Sequence, residues 1–390
     1  MYNARRIVGG LAGLVALLGL AAAAWFSVLL ARADAEFRKG TPEGVARAVE
    51  LAPRNTAYLS LRALQIEYEG RDPRPLLESI AKLNPDASAP RIRLGLDAEV
   101  RGDLAGAERW LLDAARVDRQ YEPRWTLANF YFRQQRTNDF WTWLRSALEV
   151  SYGDRAAAFD LAWAAAPDTR VILSRAIPDR REVIAAFLAY SRQKDRGDKN
   201  PSDAALLAIR LSQFHDPADL PLLYQELDRL LMAHQRAAAR EIWLNLGYPD
   251  PPLVFNPDFG QPRIGHGFDW WLVQNPGVTH VSLDTPPAHR ILFSGKQPES
   301  CELLRQYVGV SVGKRYLLRW ESRGIGSGIT WRADSVNAPL RAGGDWTPGQ
   351  LSFRATEDLS AIALFYNRPI GEPRAEGSVE LRHISIEEQP

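Results

Sequence analysis

RIRLGLDAEVRGDLAGAERWLLDAARV, residues 91–117, sets the architecture of the first half of the chain. Gly102-Asp103 breaks the stretch into two segments, and LDAARVDR closes the second as an amphipathic helix ending on Val117. A helix pair of this kind buries only one face by itself, so it needs neighbours of the same design.

The neighbours are present on both sides. ARAVELAP, LESIAKLNP and RSALEVSYG each close a comparable helix, and their last apolar positions, Leu51, Leu83 and Val150, fall with Val117 at spacings of 32, 34 and 33 residues. Turn signals repeat at the same period, at Gly70-Arg71-Asp72, Gly102-Asp103 and Thr137-Asn138-Asp139, while Pro53, Pro85 and Pro123 mark the joins between pairs. With Leu94, Gly95, Ala98, Ala107, Leu111 and Ala114 in the best repeat, and Trp125, Phe132, Leu144 and Ala147 in the next, the chain resembles the tetratricopeptide repeat family. The turn of this next repeat is one residue shorter, and Asn129 stands where the family usually has glycine. The resemblance covers 41–150 and implies a stacked helical solenoid that binds a protein partner. Residues 154–250 continue as degenerate helical pairs, interrupted by a polar loop from Gln193 to Asp203, and the whole helical region is expected over 41–250. His215 and His234 lack a partner spacing for a metal.

Ahead of the repeats, Ile7 to Ala31 is a run without charge, long enough as a helix to cross a hydrocarbon core of about 30 Å. Arg5 and Arg6 precede it and favour a cytoplasmic N-terminus. Residues 1–40 are thus expected to be a short cytoplasmic stub and a single transmembrane anchor, spanning 7–31, in the inner membrane, with the rest periplasmic or otherwise extracytoplasmic. Two other readings compete. Ala31-Arg32-Ala33 fits a small-x-small signal-peptide cleavage site, although such apolar cores usually run about 7 to 15 residues, and a buried helix of a soluble protein would want a shorter run. ARAVELAP lacks a separate partner helix, and residues 32–39 can supply one by continuing the span.

After Tyr248-Pro249-Asp250-Pro251-Pro252 the composition shifts to short β-type runs. THVSLD, HRILFSG, LLRQYVGVSV, RYLLRWESR, GITWRAD, QLSFRAT, AIALFYNRP and GSVELRHISIEE read as strands of an antiparallel sandwich over 253–390. In RYLLRWE, Tyr316, Leu318 and Trp320 share one face, and Leu317, Arg319 and Glu321 share the other. Asn256-Pro257-Asp258-Phe259, Phe268-Asp269-Trp270-Trp271, Tyr316 to Trp320 and Gly377 to Leu381 together resemble the jelly-roll sandwiches of carbohydrate-binding modules. That resemblance implies aromatic rings stacked on sugar faces with polar groups fixing hydroxyls. Trp271, Trp331, Trp346 and Tyr366 are the aromatic candidates, with Asn367 and Arg368 as polar neighbours; each ring also suits a sandwich core. The family often holds a calcium ion near its first and last strands. Asp258 stands at the first, but Arg382-His383 at the last departs from the acidic pattern, so no metal and no cofactor is expected.

The charge of +1, from 48 basic and 47 acidic residues, gives no field to attract nucleic acid. One cysteine, Cys301, excludes an intramolecular disulfide framework and a thiolate-rich metal site. Glu299 and Glu302 beside it disfavour a thiolate nucleophile. The sequence has no His-Glu-x-x-His run and no Gly-x-Ser-x-Gly elbow, and Gly324-Ile325-Gly326-Ser327-Gly328 reads as a β-turn rather than a phosphate cradle. The expectation is therefore a non-enzymatic, membrane-anchored scaffold of a bacterial-type cell envelope. Its repeats would bind a protein partner and its sandwich a glycan or second partner, in assembly or export of a surface polysaccharide, a step that rests on analogy between folds. A structural assembly factor without sugar binding and a polysaccharide-processing enzyme are the alternatives.

Overall fold

The computed structural model describes residues 2–193, 201–341 and 343–390, with side chains from Leu14 onward except at 193 and 201–202. Its described residues form fourteen α-helices followed by two antiparallel sheets. Contacts divide the chain into two compact units, one of residues 1–167 with 174–178, the other of 168–173 with 179–390.

In the first unit, α1 (Tyr2–Phe37) is an apolar helix long enough to cross a bilayer, by length and composition. It does not stop where the apolar run ends. Its last turns continue past Arg32 to pack on α2 (Pro42–Leu51), with Ala33, Ala48 and Ala52 buried together and the Phe37 ring 4.6 Å from that of Tyr58. The side chain of Thr41 caps α2 by accepting from Gly44 N.

Three helix pairs follow: α3 (Thr56–Tyr68) with α4 (Arg74–Leu83), α5 (Ala89–Val100) with α6 (Leu104–Val117), and α7 (Tyr121–Arg133) with α8 (Thr137–Val150). Small residues let the members of a pair approach. A Cβ at Gly95 would lie 2.7 Å from the fully buried Leu111, so α5 touches α6 at that point. Gly70 and Gly102 turn the first two pairs with φ of +71° and +82°. The third pair turns earlier than Thr137-Asn138-Asp139, at Gln134–Arg136, with Gln135 in the left-handed region, and those three residues open α8 instead. Next comes α9 (Ala156–Ala165), while α10 (Thr169–Arg175) is divided between the two units, its residues to Leu173 belonging to the second.

The second unit continues with α11 (Arg181–Gln193) and α12 (Pro201–Ser212). The expected loop at 193–203 lies outside the described residues at 194–200, and its flanks belong to these two helices. A single 3-10 turn (Pro217–Asp219) leads to α13 (Leu220–Met232) and α14 (Arg236–Asn245). His215 and His234 take left-handed φ of 53° and 55° just beyond α12 and α13. The shift from helix to strand after Gly247 falls inside this unit, because α13 and α14 pack on the sandwich. Asp228 accepts from Gly267 N at 2.8 Å and pairs with His266 Nδ1 at 2.7 Å. Arg236 donates to the carbonyls of Val310 and Asp358. The buried Trp243 meets Phe255 and Phe268 edge-on at 5.4 and 5.7 Å. Gly267 has φ +64°, and a Cβ there would lie 2.8 Å from the Trp243 ring.

The sandwich comprises β1 (Trp271–Leu272), β2 (Val278–Asp284), β3 (Pro287–Ser294), β4 (Ser300–Gly309), β5 (Arg315–Gly324), β6 (Ile329–Ala333), β7 (Val336–Pro339), β8 (Thr347–Arg354), β9 (Leu359–Asn367) and β10 (Glu376–Gln389). All eight expected strands are present, joined by β1 and β7. The first sheet runs β1-β4-β9-β6-β7 and the second β2-β3-β10-β5-β8. Alternation sends Tyr316, Leu318 and Trp320 of β5 inward, against Ile329, Trp331 and Ala333 of β6 and Ile362, Leu364 and Tyr366 of β9, in one continuous core.

A histidine pair lies within the second sheet. His280 Nε2 is 3.3 Å from the Val273 carbonyl, which only accepts, so His280 carries its hydrogen there and its Nδ1 accepts from His289 Nε2 at 3.0 Å. The ring of Phe259 stacks on His289 at 4.7 Å, and His289 is buried. Burial first, then the neighbouring His280 and Arg263, pushes His289 down to about 3, and His280 is lowered as well, chiefly by burial. The folded state therefore takes up these protons later than the unfolded one. Stability from this pair is complete above the unfolded value near 6.5 and drains away as pH falls from 6.5 towards 3, by roughly 4–5 kcal/mol at the acid end. Denaturation midpoints of wild type and His289→Asn across pH 7.5 to 3.5 check this: the wild type should lose stability more steeply, and parallel curves would contradict it.

Candidate functional site

The outer face of the second sheet is built from alternate residues of three adjoining strands. Opposite one another stand Arg323 and Glu380, Glu321 and Arg382, and Arg319 and Ser385, across β5 and β10. On the other side of β5, Glu321 faces Pro348 and Arg319 faces Gln350 of β8. A bulge in β10 between Arg382 and Ser385 places His383 at φ +51° as an extra exposed residue while Ile384 stays in the core. His383 Nδ1 and its backbone N–H both reach Asp258 Oδ1, at 2.7 and 2.8 Å.

Carboxylates on this face are committed to arginines. Glu380 takes Arg290 and Arg323 together, at 2.6 Å each. Its burial alone would raise its pKa, but the hydrogen bonds from Arg323 and Arg290 outweigh this and hold the carboxyl below its ordinary range. Glu321 accepts from Arg382 at 2.7 Å and Glu387 from Arg319 at 2.8 Å.

A cleft of about 680 Å³ opens where β7, the edge of the first sheet, passes its chain to β8, the edge of the second. Arg319, Glu321, Gln350, His383 and Ser385 line it from the second sheet, Ala338 and Pro339 from β7, and Arg341 from the crossing segment. The buried ring of Trp320 forms part of its wall, laid against Gly349, where any Cβ would collide with the indole. The indole Nε1–H of Trp320 has no acceptor among the described residues. The volume is within the ~300–1,000 Å³ usual for small-ligand sites.

The six residues expected to form a glycan platform do not converge. Trp331 and Tyr366 are fully buried in the core, with the Trp331 ring 5.8 Å from Trp320 and 6.2 Å from Trp270, so neither can offer a face to a sugar. Trp271 lies on the outer face of the first sheet, opposite Arg305, donating to Gly267 O at 2.9 Å and meeting Tyr307 edge-on at 5.1 Å. Asn367 and Arg368, at the end of β9, are tied to the chain entering β4: Asn367 Oδ1 accepts from Ser300 Oγ, and Arg368 pairs with Glu299. Only Trp346 belongs to the outer face of the second sheet, with the guanidiniums of Arg323 and Arg382 4.8 and 4.1 Å from its ring centroid. On the first sheet's outer face the aromatics are less accessible, as Tyr307 is buried and Arg332 lies 3.9 Å over Phe365. Alternation in β5 sets Arg319 and Glu321 on a polar face, whereas Gln350, Ser385 and Arg341 carry no such sign in the sequence, because their placement depends on β7 and on the bulge.

Among the described residues, no group of three or more His, Cys, Asp or Glu side chains is arranged to hold a metal ion. The Cys301 thiol is pushed up by burial rather than by its acidic neighbours.

No protein-family model matches the chain, and no curated protein matches it. Among solved structures it is similar to a CBM4 carbohydrate-binding module, at 12% identity over 35% of this chain and 99% of that one, with a TM-score of 0.28. It is also similar to TmCBM61 in complex with β-1,4-galactotriose, at 14% identity over 35% and 98%, TM-score 0.27. A third is a carbohydrate-binding module of Cellvibrio mixtus lichenase 5A in complex with cellotriose, at 15% identity over 30% and 92%, TM-score 0.22.

The two contrasting tryptophans give a direct check. Trp331→Ala should lower stability by about 3–5 kcal/mol, as a large buried ring leaves a cavity, whereas Trp346→Ala should cost about 1 kcal/mol, the scale of its cation–π contacts. Urea unfolding of the two variants measures the difference, and equal losses would refute the assignment of core and surface.

Proposed function

We propose that this chain is a membrane-anchored binding protein without catalytic activity, whose helix pairs hold a protein partner and whose sandwich takes a saccharide in the cleft between β5, β8 and β10, outside the cytoplasm. The cleft carries the reading. It joins a concave volume of small-ligand size with polar side chains from three strands, and Trp346 stands on the same sheet face. Its carboxylate, Glu321, is occupied by Arg382, which favours a fixed hydrogen-bonding wall over a proton-transferring acid.

Supporting the anchor are the length and apolar character of α1, and supporting a load-bearing role for it is the packing of its last turns on α2. The stacked pairs from α3 to α8 present the repeated surfaces that solenoids use for partners.

Affinity electrophoresis of the detergent-solubilised chain in gels containing β-glucan, xylan, galactan, alginate, polygalacturonate or hyaluronan tests the sandwich's role. At least one polymer should retard the protein, and Gln350→Ala should cut that retardation several-fold without changing the melting temperature. Free migration in all six gels would overturn the saccharide reading in favour of a purely structural assembly factor.

A further inference from the structure

We infer that the cleft selects an acidic saccharide, one bearing carboxylates, over its neutral counterpart; this rests on the saccharide reading above. The carboxylates in and around the cleft are already paired. Glu321 is taken by Arg382, and Glu387 and Glu380, on the surrounding face, are taken by Arg319 and by Arg290 with Arg323. Arg341, exposed at the cleft's edge, has no carboxylate partner among the described residues.

A neutral sugar hydroxyl both donates and accepts, so its O–H donor finds no charged acceptor free in such a wall. A carboxylate only accepts, matches the planar guanidinium fork in a bidentate pair, and forms charge-assisted bonds about twice as strong as neutral ones. Arg341 is the positioned cation for it, with Gln350 and Ser385 left to fix ring hydroxyls. Of the charged side chains that line the cleft, Arg319 and Arg341 stand beside one carboxylate, Glu321, so the preference is local and does not rest on the chain's bulk charge of +1.

Matched probes test this on the full-length chain in detergent: cellotriose, and the same trisaccharide oxidised at C6 so that carboxylates replace hydroxymethyls, alongside the neutral and acidic polymer gels. The acidic members should bind at least tenfold tighter at 50 mM salt, with the gap narrowing at 500 mM. Arg341→Gln should erase the preference. Arg47→Ala, which removes an exposed arginine from α2, should leave it intact. Gln350→Ala, which changes no charge, should weaken acidic binding and thereby exclude simple ion exchange. Equal or tighter binding of neutral members overturns the inference while the saccharide reading stands; absence of binding to every probe overturns both; and a preference untouched by Arg341→Gln overturns the assigned residue.

Discussion

The sandwich depends on a chain of three indoles, Trp270, Trp331 and Trp320, whose rings lie 6.2 and 5.8 Å apart between the two sheets. Two antiparallel sheets must cover each other's inner faces, and large rings at that layer hold them in one register. Trp320 can lie flat only because Gly349 stands opposite it in β8. With the tryptophans inside, the alternate positions on β5, β8 and β10 necessarily face out, and they are arginines, glutamates, Gln350 and Ser385. The chemistry of the cleft is thus the complement of the core's packing.

That same constraint explains what the sequence disclosed. Strand alternation in GITWRAD puts Trp331 on the face of Ile329 and Ala333, and in AIALFYNRP it puts Tyr366 with Ile362 and Leu364, so the core position of both rings was legible from period alone. Assigning them to a sugar platform gave ring chemistry priority over periodicity. The strands missed were those with little pattern to show: β1 has two residues, and β7, Val336-Asn337-Ala338-Pro339, is short and ends in proline, a residue that central strands avoid. Since β7 hands the chain across to β8, missing it hid the cleft. The turn at Gln135 was displaced for a similar reason, since a left-handed glutamine carries no turn signature of the kind glycine gives at Gly70 and Gly102.

In the helical unit the legible features were those set by repeated small residues. The period of 32 to 34 follows from pairs that must stack to close their cores, and Gly95 against Leu111 shows why a small residue stands at that crossing. The unpaired α2 finds its partner in the end of α1, with Ala33 beside Ala48 and Phe37 on Tyr58 of α3. An apolar helix that ends inside a packed layer is part of that layer's structure rather than a loose tether.

Hydrogen–deuterium exchange of the full-length chain with and without a retarding saccharide tests the central claim most directly. The account predicts protection at 319–321, 348–350 and 383–385, the strand segments that line the cleft, with little change at 271–272 and 305–307 on the opposite sheet. Protection centred on Trp271 and Tyr307 instead would contradict it.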